Sequence, residues 1–197
     1  MNLNRIDELT VYEYLEKLAS PEFPNPASGS AASTIAAMAA SLLEMSYKVT
    51  VTNNEKKMPI SLNEIEGIRH QCMRLATEDM IALAEVVKAT KFKSAFPVKY
   101  EEAMKKATDP LVSVVKNCEI ILSWIVQLIP IANKSVLGEL AGSANMAEAA
   151  ATSAKQGIEV NLLLLSDKVY IGNVQAAIHK SYKNTIETKQ RIDKSMI

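Results

Sequence analysis

Residues 31–43, Ala-Ala-Ser-Thr-Ile-Ala-Ala-Met-Ala-Ala-Ser-Leu-Leu, contain no charge and no aromatic ring. Such a segment favours helix, and as a helix it is apolar or small on every side, with no face to offer water. Other helices must therefore surround it. Its small side chains let them approach toward the short end of the usual ~8–10 Å axial separation. Residues 141–154 repeat the pattern with a single glutamate. Two helices of this kind in a chain of 197 residues demand a closely packed helical core.

The remaining periodic segments also read as helices. Thr10 with Glu13 forms a capping-box pattern that opens a first helix through Leu15 and Leu18, stopped by Pro21. The second helix is expected over roughly 30–52, ending at Asn53-Asn54. Ser61 with Glu64 opens a third, kept in register by Ile65, Ile68, Cys72, Leu75, Ala82, Leu83 and Val86. A loop is expected near 91–97 and a helix over 99–108. Asp109-Pro110 then reads as a cap with a first-turn proline restarting a helix, which Pro130 interrupts. Helices over about 134–166 and 168–189 complete the chain, and no run alternates as a strand would. The expectation is one all-α domain over residues 1–197, a bundle of six to eight helices with long, alanine-rich core helices.

Charge narrows the partners. Twenty-two basic and twenty-two acidic residues leave no net charge, which removes the electrostatic footprint of a nucleic-acid binder. The polar, acidic Met1–Glu8 resembles neither a signal nor a transit peptide. The longest apolar stretches, 35–43 and 120–131, fall short of the ~18 residues that a membrane span needs. Cys72 and Cys118 stand alone in apolar surroundings, the pattern of reduced, structural thiols in a cytoplasmic protein. His70 and His179 have no ligand-spaced partners, so no metal is expected. So much apolar helical length calls for subunit contacts, and a homodimer is the expected assembly.

Several residues carry possible chemistry. In Pro24-Asn25-Pro26-Ala27-Ser28-Gly29-Ser30 two prolines forbid helix, and a Ser-Gly-Ser step then feeds a helix N-terminus. Free amides and the helix dipole make such a place suited to a polar or anionic ligand. Asp79 lies within the apolar stripe Cys72, Leu75, Leu83, Val86. A carboxylate there must be paired, hydrogen-bonded or raised in pKa; a cap or buried contact and a reactive group both fit. Asn161 sits likewise in the stripe Ala147, Ala150, Ala154, Ile158, Leu165, able to orient either a neighbour or a ligand. Ser143 falls on that face five turns below. Glu44 and Lys48 read as an i,i+4 salt pair. Lysines 88, 91, 93, 99, 105 and 106 gather around one loop, as a solvated surface or as a partner for a substrate with several carboxylates.

These residues also carry a family resemblance. Pro24-Asn25-Pro26-Ala27-Ser28-Gly29-Ser30-Ala31-Ala32 resembles the Pro-x-Pro-Gly-Gly-Gly-Ser-x-Ala opening of the formiminotransferase-cyclodeaminase C-terminal domain family. That family includes formimidoyltetrahydrofolate cyclodeaminases and methenyltetrahydrofolate cyclohydrolases. Met45 with Thr50, Leu75-Ala76-Thr77-Glu78-Asp79, Ala107-Thr108-Asp109-Pro110-Leu111 and Gly157-Ile158-Glu159-Val160-Asn161-Leu162 match further elements in order along nearly the whole chain.

The resemblance implies an all-α homodimer acting on one-carbon adducts of tetrahydrofolate without metal or other cofactor. Two reactions belong to it: ring closure of formimidoyltetrahydrofolate with loss of ammonia (a lyase), or interconversion of methenyl- and formyltetrahydrofolate (a hydrolase). It further implies Asp79 as the catalytic carboxylate. Asn25, Pro26, Ser28, Gly29 and Ser30 become a substrate-binding loop, with Ser143 and Asn161 as substrate contacts and nearby lysines for a glutamate tail. The chain departs from the family pattern at Ala27 and Ser28, where relatives carry glycine, and at Leu165, where they carry asparagine. It departs again at Gly142-Ser143, where they carry Ser-Asp; Glu139 is the carboxylate one turn earlier. A catalytically altered, folate-like binding protein of the same fold is the alternative these departures support. A purely structural helical interaction protein is the third reading.

Overall fold

The alanine-rich segment sits at the centre of the computed structural model, which describes residues 5–22, 24–52 and 58–196. Among these residues are six helices, α1 (Val11–Ala19), α2 (Ser28–Thr52), α3 (Leu62–Thr90), α4 (Pro97–Leu128), α5 (Leu137–Leu163) and α6 (Lys168–Ser195), with three short 3-10 turns and no strand. Helix α2 packs on α3, α4 and α5, and α6 lies against α4 and α5. Ala32, Ala36, Ala39, Ala40 and Leu43 of α2 are sealed from solvent, as are Ala144, Ala147, Ala150, Ala151 and Ala154 of α5. Two buried hydroxyls of α2 return to their own helix: Ser33 donates to the Gly29 carbonyl at 2.9 Å and Thr50 to the Ser46 carbonyl at 2.7 Å. A buried hydroxyl so bonded avoids the cost of an unpaired polar group.

Helix starts follow local chemistry. The Thr10 amide donates to Glu13 Oε2 at 2.8 Å while the Glu13 amide donates to Thr10 Oγ1 at 3.2 Å, so the first capping box forms in full. At the start of α3 the Ser61 amide donates to Glu64 Oε2 at 3.1 Å. The expected stop at Asn53-Asn54 lies outside the described residues.

Several boundaries differ from expectation. Helix α2 begins at Ser28, so the Ser-Gly-Ser step is its first turn and not a loop before it. Asp109-Pro110 starts no new helix, because α4 runs unbroken through Pro110. An interior proline removes one backbone donor and costs on the order of 3 kcal/mol. Burial of Pro110 and Leu111 in the core offsets that here, and two neighbouring carbonyls of the same turn anchor other helices. Tyr170 Oη donates to the Lys105 carbonyl at 3.2 Å and Asn161 Nδ2 to the Ala107 carbonyl at 3.4 Å. Helix α5 is shorter than expected, because a separate 3-10 turn occupies Lys134–Val136 and Asp167 caps α6, which continues to Ser195.

The uninterrupted α4, with the turn that follows it, makes Pro97–Ile131 long and apolar enough in composition to cross a bilayer. The separate apolar stretches did not reach that length. Val114, Val115, Cys118, Ile121, Leu122, Ile125 and Leu128 of this segment are fully buried among the other helices, which accounts for its apolar character as a core helix.

Candidate active site

The first turn of α2 faces a cleft of about 460 Å³ whose other walls come from α3, α4 and α5. Ala27, Ser28 and Gly29 form one wall, and Asp79, Leu83 and Val86 the next. Met104, Ala107 and Leu111 make the floor; Ser153, Gln156, Gly157, Val160, Asn161 and Leu164 close the far side. Asp79 is the only ionisable side chain among these lining residues, and it is 7% exposed. The Ser30 amide donates to its carboxylate. That amide is one of the orphan donors of the α2 N-terminus, so Asp79 acts as a cap supplied by another helix.

Burial pushes the Asp79 carboxyl up to about 6, and the Ser30 amide, which favours the charged form, opposes the rise. Among the described residues no cation lines the cleft to reverse it. The group therefore changes protonation state near neutral pH and can both give and accept a proton.

Gly29 is required by close approach. A Cβ added there would lie 2.6 Å from Asp79 Cγ and 2.7 Å from Leu111 Cδ2, and closer still to Asp79 Oδ1. Across the floor the same leucine meets Gly157, where an added Cβ would stand 3.0 Å from Leu111 Cδ1. Of Ala27, Ser28 and Gly29, Gly29 is thus the position this contact requires to be glycine. The side chains at Ala27 and Ser28 fit on the cleft wall without crowding it.

The structure brings together Ser28, Gly29, Asp79 and Asn161 on the cleft, with Ser30 contributing its amide from just behind. Asn161 is half-buried and spends one amide proton on the Ala107 carbonyl, which orients it between α4 and the cleft. Asn25 and Pro26 precede α2 and do not line the cleft. Ser143 is not at the site. It is fully buried and donates to the Ala39 carbonyl at 2.7 Å, in the contact between α5 and α2. The 18 residues separating it from Asn161 are about 27 Å of helix.

The lysines are elsewhere too. None of the six lines the Asp79 cleft; Lys88 and Lys99 border a second opening with Phe92 and Phe96 on another face of α3. Lys105 is held by Asp167 at 2.6 Å. Glu44 does pair with Lys48, as expected, and also receives Arg69 Nε at 2.6 Å.

Sequence reading missed Leu111, Ser153 and Gln156. The last two belong to a stripe of α5, with Gly157, Val160 and Leu164, that lies beside the apolar stripe containing Asn161. Its exposed, mixed composition gives no periodic signal. Also missed was Glu101, whose carboxylate accepts from the Ser166 and Asp167 amides at 2.7 Å each and ties the α5–α6 turn to α4.

An all-α bundle whose cleft holds one buried carboxylate at a helix N-terminus sets the class. Within it, the formiminotransferase-cyclodeaminase family matches residues 10–180, and the chain belongs to that family. Among solved structures it is similar to the formiminotetrahydrofolate cyclodeaminase of Thermotoga maritima, with a TM-score of 0.86, 23% identity and 97% of each chain covered. At that identity the likeness shows a shared fold. No curated protein sequence matches significantly.

Proposed function

We propose that the cleft binds a tetrahydrofolate derivative carrying a one-carbon group and closes the ring between its two bridging nitrogens, releasing ammonia. The observation that carries this reading is Asp79, buried, unpaired by any cation and poised to titrate near neutrality beside the α2 amides. In the proposed step the second folate nitrogen attacks the carbon of the cationic formimino group, forming the new C–N bond of a tetrahedral intermediate. A proton must then travel from that nitrogen to the leaving amine before the C–N bond to ammonia breaks. The first nitrogen's electron pair restores the amidinium cation of the methenyl product. Charge and atoms balance with the substrate's own proton, and one carboxyl able to accept and return it suffices.

The carboxylate also opposes the positive charge that persists from substrate to product. Leu83, Val86, Met104 and Leu111 offer apolar surface for a fused ring, and Gln156 and Asn161 offer amides at its edge. Hydrolysis of the methenyl ring uses the same carboxylate as base for a water, so both reactions are assayed together. Methenyltetrahydrofolate absorbance is followed from formimidoyltetrahydrofolate and, in reverse, by hydrolysis, alongside folate binding. Appearance of the methenyl product with release of ammonia is expected. Binding without turnover selects the folate-like binding protein, and neither binding nor turnover defeats both readings.

A homodimer belongs to the same proposal. Met38 and Met45 of α2 and Met146 of α5 are exposed apolar side chains on the two alanine-rich helices, and light scattering is expected to give twice the chain mass.

A further inference from the structure

One segment that never touches the floor of the cleft nevertheless holds its key contact. The 3-10 turn Ile6–Glu8 and α1 form a small core of their own, in which Ile6, Tyr14, Ala76 and Met80 are buried. Ala76 and Met80 flank Asp79 on α3. The Ile6 amide donates to Thr77 Oγ1 at 3.1 Å, two residues before Asp79. At its other end this arm reaches α2: Tyr14, 8% exposed, places its hydroxyl 3.4 Å from Ser30 Oγ and 3.3 Å from Thr34 Oγ1. Thr34 Oγ1 also lies 3.0 Å from the Ser30 carbonyl, and Ser33 Oγ donates to the Gly29 carbonyl at 2.9 Å. Hydroxyls therefore grip the first turn of α2 from behind, while its amide end meets Asp79 in front.

Packing alone does not call for the phenolic oxygen, because phenylalanine fills the same apolar space. The buried hydroxyl finds its partners in the turn that carries Gly29 and Ser30. We infer that Tyr14 is a positioning residue for Asp79: its hydroxyl sets the first turn of α2 against the carboxylate, which makes α1 part of the frame of the active site. A preorganised donor matters at this scale, since misplacement by about 1 Å can cost on the order of 100-fold in rate. The inference rests on the proposed folate chemistry only for its kinetic consequence.

The surroundings make the test clean. Among the described residues Asp79 is the only ionisable group lining the cleft, Glu78 beside it is exposed on another face of α3, and Tyr14 backs the contact through Ser30. The carboxyl carbon of Asp79 is titrated by 13C NMR, without ligand, in the wild type, in Tyr14→Phe and in Tyr12→Phe, whose ring is 73% exposed. Loosening an amide that favours the charged form raises the midpoint, by about half a pH unit or more in Tyr14→Phe and not in Tyr12→Phe. Ser30→Ala, which removes the partner oxygen, is expected to raise it as well. In turnover, Tyr14→Phe is expected to lose about 10-fold in kcat with KM changed less than about 2-fold, as for an interaction used in the transition state. A lower melting temperature with unchanged midpoint and kcat would assign Tyr14 a merely structural role and overturn the inference. If the wild type turns over no folate substrate, the proposed function fails, and the ligand-free titration still decides the role of Tyr14.

Discussion

Asp79 and Glu44 are exposed to nearly the same small extent, 7% and 8%, and stand on adjoining helices, yet their acidities move in opposite directions. Burial raises both. At Asp79 only a backbone amide opposes it, and the carboxyl is left at about 6. At Glu44, Lys48 and Arg69 more than offset burial and hold the group below the usual carboxylate range. Depth alone therefore does not mark a reactive carboxyl; the partner decides. Glu44 is an anchor between α2 and α3, and Asp79 is a charge the fold tolerates at a cost. Such a cost is expected of a site tuned for chemistry.

The comparison can be broken most forcefully at Asp79. Asp79→Asn is expected to lower turnover by about 10²–10⁴, the usual worth of a positioned acid–base group. The same substitution should stabilise the fold at pH 8. A carboxyl whose folded pKa is raised gives its full stabilisation below the unfolded value and loses it as pH rises through about 6. The wild type at pH 8 is then weaker by up to about 3 kcal/mol. Melting curves at pH 8 and pH 4 check this: a gain for Asp79→Asn at both, or at neither, contradicts the reading.

Gly29→Ala attacks the same contact from the other side. The new methyl must displace Asp79 or Leu111, so turnover should fall by roughly 100-fold and stability by about 1–3 kcal/mol, as for an overpacked site. Gly67→Ala on α3, where an added Cβ meets nothing within 4 Å, should instead gain about 0.5–1 kcal/mol. Equal behaviour of the two variants in thermal melts would deny the tight approach of α2 to Asp79.

Glu44→Gln sharpens the contrast in the opposite direction. Its lowered carboxyl gives stability that is present above the unfolded pKa and is lost as pH falls through the folded one. Because Lys48 and Arg69 are half and nearly one-third exposed, solvent weakens the pair, and a loss of about 1–2 kcal/mol at pH 7 is expected. Turnover should not change. The smallest effect is expected for Ser143→Ala, about 1 kcal/mol from one lost buried hydrogen bond, with KM unaltered. A raised KM would return Ser143 to the substrate.

Much of this was legible beforehand, in proportion to how local its cause is. Capping at Thr10 depends on four consecutive residues, and that helix starts where expected. The 3,4,4,3 spacing around Asp79 places it on the inward face, and it is buried. Pro110 misled because a proline's local rule was overridden by tertiary packing, which buries Pro110 and Leu111 in the core. Ser143 misled because a shared helical face does not fix where along a helix a ligand sits, and about 27 Å separates it from Asn161. Ser153, Gln156 and Tyr14 left no pattern at all.

By itself the sequence determined an all-α chain built on two helices that cannot face water, and a carboxylate committed to the interior. Those conclusions rest on composition and period, which act within a few turns of one helix. Only the tertiary structure decided that the carboxylate meets the first turn of α2, that Gly29 alone among the loop positions must be glycine, and that Tyr14 stands behind them. Those contacts join residues tens of positions apart, and they are set by how closely small side chains let helices approach and at what angle they cross.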